Sequence, residues 1–179
     1  VHKDTEKLIA DLIPAKISIS GVQRILQNLL SEGVSIRDVP TILEGIAEAT
    51  AMTSNLTQVT EHVRARLARQ ISAQQTLDGT IPIVTLGGEW DEAFSEAIVG
   101  QGDERHLAMA PSHLQAFIAA VREAYDRFAA QGEIPCLLTS PPLRPFVRSI
   151  IERVRPATVV LSQNEIHPRA RLRTLGTIG

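Results

Sequence analysis

The apolar residues of this 179-residue chain keep one rhythm up to about residue 75 and another after residue 80. In the first stretch they recur three and four positions apart, the spacing that lines one face of an α-helix. Val22, Ile25, Leu26, Leu29 and Leu30 form one such stripe, and Leu56, Val59, Val63, Leu67 and Ile71 form another. The spacing predicts a short helix over 3–13 that Pro14 ends, and a cleaner one over 20–32 with Ser20 as cap and Gly33 as stop. Residues 34–36 read as a small extended piece. Asp38 then caps a helix that carries Pro40 in its first turn, where a missing N–H costs nothing, and Ile42, Leu43 and Ile46 on its apolar face. Asn55 caps a long helix reaching about Gln75.

Residues 77–80 (Leu-Asp-Gly-Thr) are turn chemistry and mark the domain boundary. The run over 81–86 is a strand, and Pro82 places it at a strand start or a sheet edge. A helix follows over 89–99, with Trp90, Phe94, Ala97 and Ile98 to one side, then a polar loop over 100–105. Pro111 opens a longer helix, closed by Gly132. Strands are expected over 134–139, 157–161 and 171–178, with a helix between the first two that Ser140 and two prolines cap and start. The 134–161 stretch is a βαβ unit, whose strands should be parallel. The fold class is α+β: an N-terminal all-helical, winged-helix-like subdomain over 1–78, then a small α/β subdomain over 79–179 with a roughly four-stranded mixed sheet. The chain opens on Val1 rather than Met, as expected of a processed chain or a piece of a longer one.

Charge narrows the possible functions. The net charge is −2, which argues against a nucleic-acid or anionic-membrane binder. That total hides an acidic middle, where 79–140 holds 3 basic and 9 acidic residues, and a basic tail, where 141–179 holds 7 and 2. Aromatic residues make up 3% of the chain, too few for a base-stacking platform. No apolar run is long enough to span a bilayer. The histidines at 2, 62, 106, 113 and 167 lack metal-ligand spacing, so no metal site is expected. The single Cys136 sits in an apolar strand and reads as a core thiol. Nothing pairs a nucleophile with a base, so an enzyme built on the 134–161 unit lacks its machinery, and no cofactor is expected.

Two features leave alternatives open. The helices at 20–32 and 38–49 resemble a helix-turn-helix, so a winged-helix nucleic-acid-binding module fused to an α/β domain is a second reading. Its would-be recognition helix carries Glu44 and Glu48 and nothing basic after Asp38, which disfavours contact with phosphate. The tail arginines Arg144, Arg148, Arg155, Arg171 and Arg173, with Arg153 and Arg169, are either a solvated face paired with the acidic 89–104 segment or a docking patch for an acidic partner.

Four segments carry a specific likeness. VQRILQNLLSEGVSIRDVPTILE (22–44), TEHVRARLARQI (60–71), PCLLTSPPLRP (135–145) and VVLSQNEIHP (159–168), the last with the closing TLGTI (174–178), resemble in order and spacing the FlhA family. These are the export-gate proteins of flagellar and other type III secretion systems, and the flagellar branch is the more similar. The resemblance covers nearly the whole chain and implies the last two of four cytoplasmic subdomains. It implies no enzyme and no cofactor. The implied role is a docking and ring-forming module at the cytoplasmic face of the bacterial inner membrane, touching the membrane only through an N-terminal region outside this chain. Implied partners are other copies of itself in a nonameric ring, export chaperones, substrates and other export-apparatus proteins; nucleic acid is not among them. Residues carried over as ring contacts are Arg37, Asp38, Glu44 and Arg64. Pro40 departs from the family, which often has a basic residue there, so one contact is expected to be missing or replaced. Asp38 has a second reading as a plain helix cap.

Overall fold

The computed structural model describes residues 2–179, with His2 described in its backbone only, so the His2 side chain and Val1 lie outside the described residues. The chain divides into two compact units, residues 1–71 and 72–179.

The first unit is helical: α1 (His2–Leu12), α2 (Ile19–Ser31), α3 (Val39–Thr50) and α4 (Leu56–Arg66), with α5 (Ala68–Gln75) starting in it and ending in the second. Caps set the starts. Asp38 accepts from the Thr41 N–H at 3.3 Å and Asn55 from the Gln58 N–H at 3.0 Å, as the sequence predicts. For α2 the cap is Ser18 rather than Ser20: the Ser18 hydroxyl accepts from the Gly21 N–H at 3.0 Å. The long helix expected over 55–75 is interrupted. The Leu67 N–H donates to both Val63 and Arg64 carbonyls, each at 3.0 Å, so one turn tightens and the axis restarts as α5. Packing holds this turn, because Leu67 is buried. The α4 stripe of Val59 and Val63 faces α3, whose Gly45 admits it: a Cβ there would stand 3.3 Å from a Val63 methyl. α2 also packs on α4, where Asn28 donates to the Thr60 hydroxyl at 3.2 Å. Residues 34–36 pair with no strand, and this unit contains no strand among its described residues, hence no β wing.

The second unit is an α/β layer. Its strands are β1 (Ile81–Leu86), β4 (Cys136–Thr139), β5 (Val160–Ser162) and β6 (Leu172–Ile178), in the order β5-β4-β1-β6. The expected four strands are present, but all three pairings are parallel where a mixed sheet was expected. The reason is topological. A short 3₁₀ turn at Gln163–Glu165 and the loop after it carry the chain from β5 to the opposite edge, beside β1, instead of doubling back as a hairpin. That also makes β1 central. Pro82 is tolerated there because the ladder to β4 begins only at Ile83. Between β1 and β4 lie α6 (Gly88–Ala97), a small antiparallel hairpin of β2 (Ile98–Val99) and β3 (His106–Leu107), and α7 (Pro111–Ala130). The hairpin holds the predicted polar loop at its tip. Its strands are two residues each, too short to show a period. β4 and β5 are bridged by α8 (Arg144–Val154). This helix starts beyond the Ser140-Pro-Pro stretch, which forms a turn closed on the Ser140 carbonyl rather than a side-chain cap.

The core of this unit is a block of aromatics and aliphatics. Phe117 meets Phe94 edge-on at 4.8 Å and Trp90 at 5.2 Å, and Val84, Leu137, Val147 and Ile151 complete it. The end of α5 belongs here because Ser72 is buried, its hydroxyl donating to the Glu165 carbonyl at 2.9 Å and accepting from the His167 N–H at 2.8 Å.

Candidate functional site

The residues singled out from sequence separate into exposed and buried sets. On the helical unit Arg37, Asp38 and Glu44 are exposed. Asp38 performs the capping role described above. Glu44 accepts from Arg66 Nη2 at 2.8 Å, and Arg66 Nε lies 3.4 Å from Glu48, which is in turn 2.9 Å from His62 Nε2. Glu44, Glu48, His62 and Arg66 therefore form one solvent-facing charged cluster across α3 and α4. Sequence reasoning reached Glu44 and missed Arg66, whose pairing partners lie on another helix. Arg64 does not belong to this face. It is 1% exposed and stands 3.8 Å from Glu32, so its expected role as a surface ring contact is corrected to an internal one. It lies on the α4 side that packs inward, next to Val63 and Thr60.

The basic tail splits in the same way. Arg144 is 1% exposed, pairs with the equally buried Glu165 at 3.3 Å, and donates to the Val160 carbonyl at 2.8 Å. Arg148 is buried and donates to the Pro156 and Thr158 carbonyls, each at 3.2 Å. Arg155 is half-buried, its guanidinium 4.5 Å from the Tyr125 ring centre and its Nε bonded to the Thr158 hydroxyl. Of the five residues offered as a docking patch, only Arg171 and Arg173 are exposed. Arg173 is engaged in a two-pronged pair with Glu133, at 2.9 and 3.0 Å. The docking-patch expectation is thus corrected for Arg144 and Arg148: a guanidinium that bonds main-chain carbonyls from a buried position is part of the fold. The motif residues Arg144 and Glu165, far apart in sequence, meet here. Glu165 also accepts from the Ser162 N–H at 3.4 Å, in a capping box at the turn after β5.

No catalytic arrangement emerges among the described residues. Burial pushes the Cys136 thiol up to about 12, the reverse of what a nucleophile needs. Burial also raises the Tyr125 phenol, whose hydroxyl donates to the Pro135 carbonyl at 2.9 Å. No group of histidines, cysteines and carboxylates able to hold a metal occurs among the described residues. α3, the would-be recognition helix of the nucleic-acid reading, presents Glu44 and Glu48 to solvent. No helix among the described residues is long and apolar enough to cross a membrane.

An all-helical unit followed by a four-stranded parallel sheet unit is shared with about half of each of several solved structures, among them a cytosolic domain from the type III secretion system. The Chlamydia pneumoniae CdsV protein is similar at a TM-score of 0.86 and 29% identity, over 99% of this chain and 50% of that one. The nonameric EPEC SctV-C is similar at 0.83 and 25%, over 99% and 52%. A complex of Chlamydia pneumoniae CdsV with CdsO is matched at 0.83 and 29%, over 99% and 51%. In sequence, the flagellar biosynthesis protein FlhA of Caulobacter vibrioides is 57% identical over 174 residues, 97% of this chain and 25% of that protein. The FHIPEP family model matches residues 1–171, and the chain belongs to the FHIPEP family. It spans about a quarter of the length of the curated relatives it matches.

Proposed function

We propose that this chain is a cytoplasmic docking and ring-forming module of a flagellar type III protein export gate, contributing to the recruitment and ordered delivery of export substrates and their chaperones. The observation that carries the reading is the family match over residues 1–171, together with a 57% identical flagellar relative. The similarity to a nonameric SctV-C supports assembly with other copies of itself, and the similarity to CdsV in complex with CdsO supports contact with other export-apparatus proteins. In this reading the module works at the cytoplasmic face of the bacterial inner membrane, and membrane attachment comes from outside these residues. It binds and positions; it turns nothing over, takes no cofactor and binds no nucleic acid.

In this reading the ring contact uses the exposed Arg37, Asp38 and Glu44, together with Arg66 and Glu48, which pair in one cluster with Glu44. Exposed ion pairs of this kind contribute only about 0–1 kcal/mol each. A ring resting on them is weak in isolated fragments, sensitive to salt, and helped by tethering in the membrane, which raises effective concentration. The test is Glu44→Arg in the full-length protein, read by electron microscopy of purified rings and by swimming motility. Loss of both, with normal protein levels, is the expected result; intact rings and motility would remove Glu44 from the interface.

A further inference from the structure

The helical unit holds a groove of about 600 Å³ between the first turns of α2 and the start of α4. Two cations line it, Lys16 and Arg24, and no carboxylate does. Both are exposed, and neither pairs with an acidic group among the described residues. α2 adds the amide side chains of Gln23 and Gln27, while the apolar part of the lining comes from Ile17, Leu56 and Val59. The chain beside the groove carries two large apolar side chains with nothing over them: Ile19 is 73% exposed and Met52 is 75% exposed. Gly21 lets the groove-lining Ile17 pack against α2, since a Cβ there would stand 2.7 Å from the Ile17 side chain.

Each element of this arrangement states what would fill it. Unpaired cations without a counter-charge favour carboxylates, amide side chains offer donors and acceptors to a polypeptide, and exposed Ile and Met favour an apolar stripe. The charge placement is the mirror of the α3–α4 face, where carboxylates and cations already neutralise one another. We propose that this groove docks an acidic, amphipathic segment of a partner protein, its carboxylates on Lys16 and Arg24 and its apolar side chains against Ile19, Met52 and the groove lining. The inference deepens the docking reading above and relies on it only for the partner being a protein.

The experiment uses the 179-residue chain and two labelled helical peptides of equal length, one with a leucine stripe flanked by glutamates and one with lysines in place of the glutamates. Fluorescence anisotropy gives affinity, and amide chemical shifts give location. The glutamate peptide binds at low salt and weakens as salt rises, shifting amides of residues 16–27 and 54–59; the lysine peptide does not bind. Lys16→Glu with Arg24→Glu lowers affinity about tenfold or more. Both positions are exposed, so circular dichroism stays unchanged. Gln27→Lys, which adds a cation to the same wall, tightens binding. Equal binding of both peptides, shifts confined to other surfaces, or no effect of the double variant overturns the proposal. So does Arg24→Glu acting only on self-association, which would assign the groove to a second copy, or duplex DNA binding through the same two residues. Ring assembly by Glu44→Arg full-length protein is read separately, so failure of the groove and failure of the ring contact are told apart.

Discussion

Two groups of charged side chains, one in each unit, sit in opposite surroundings. In the helical unit the cluster of Glu44, Glu48, His62 and Arg66 lies in solvent, with pair distances of 2.8 to 3.4 Å. In the α/β unit Arg144 and Glu165 are both buried and bonded into the main chain. An exposed pair exchanges water and salt at little cost, so either member can be traded for a neighbouring subunit's charge. A buried pair cannot be traded, because removing one partner strands the other in a low-dielectric interior. The lesson is that a count of arginines locates neither a docking surface nor a fold-holding network; burial does. In the tail, Arg144 and Arg148 are spent inside the α/β unit, whereas Arg153, Arg169, Arg171 and Arg173 stay exposed.

The largest expected effect comes from breaking the buried pair. Glu165→Ala leaves the Arg144 guanidinium without its carboxylate and should destabilise the second unit by about 3–5 kcal/mol. Trp90, the chain's one tryptophan, sits in the core of that unit, so urea unfolding followed by its fluorescence reads this unit. A core change of a different kind probes the helical unit. Gly45→Leu places a side chain where Val63 already stands, and should cost about 1–3 kcal/mol by circular dichroism. If Glu48→Ala costs as much as either, the exposed cluster is not the tradable surface described above. The expected loss is within about 1 kcal/mol and vanishes at high salt.

The smallest effect is a titration. The two-pronged bond from Arg173 holds the Glu133 carboxyl below the ordinary glutamate range. A depressed folded-state value means that the pair's contribution is present above the unfolded carboxyl value and is lost as pH falls through the folded one. Carboxyl NMR should show the Glu133 midpoint low in the native chain and back in the ordinary range in Arg173→Ala. Because Arg173 is exposed and Glu133 no more than half-buried, this change should leave urea stability near neutral pH almost unaltered. A large loss there would make the pair a structural one.

Much of the local structure was legible in sequence for local reasons. The α2, α3 and α4 stripes, the Asp38 and Asn55 caps, the Gly33 and Gly132 stops and all four sheet strands depend on neighbours within a few residues. What was not legible depends on distant partners. Arg144 looked like a surface cation because nothing near it in sequence announces Glu165, which the chain brings up only after β5. Arg64, carried over as a ring contact, is internal because it meets Glu32 of the chain beyond α2, which nothing near it in sequence announces. The parallel direction of β6 depends on the loop after Glu165 crossing to the far edge of the sheet, a choice no periodicity encodes. In the 135–145 and 159–168 segments the recognisable motifs fall on the buried Arg144–Glu165 pair.

The most direct test sets Arg144→Ala beside Arg66→Ala in the isolated chain, with unfolding free energy in urea followed by circular dichroism. A loss of about 3–5 kcal/mol for Arg144→Ala and less than about 1 kcal/mol for Arg66→Ala is the result the burial of the first and the exposure of the second require. Equal losses, or a silent Arg144→Ala, would contradict the division of charge between folding and association.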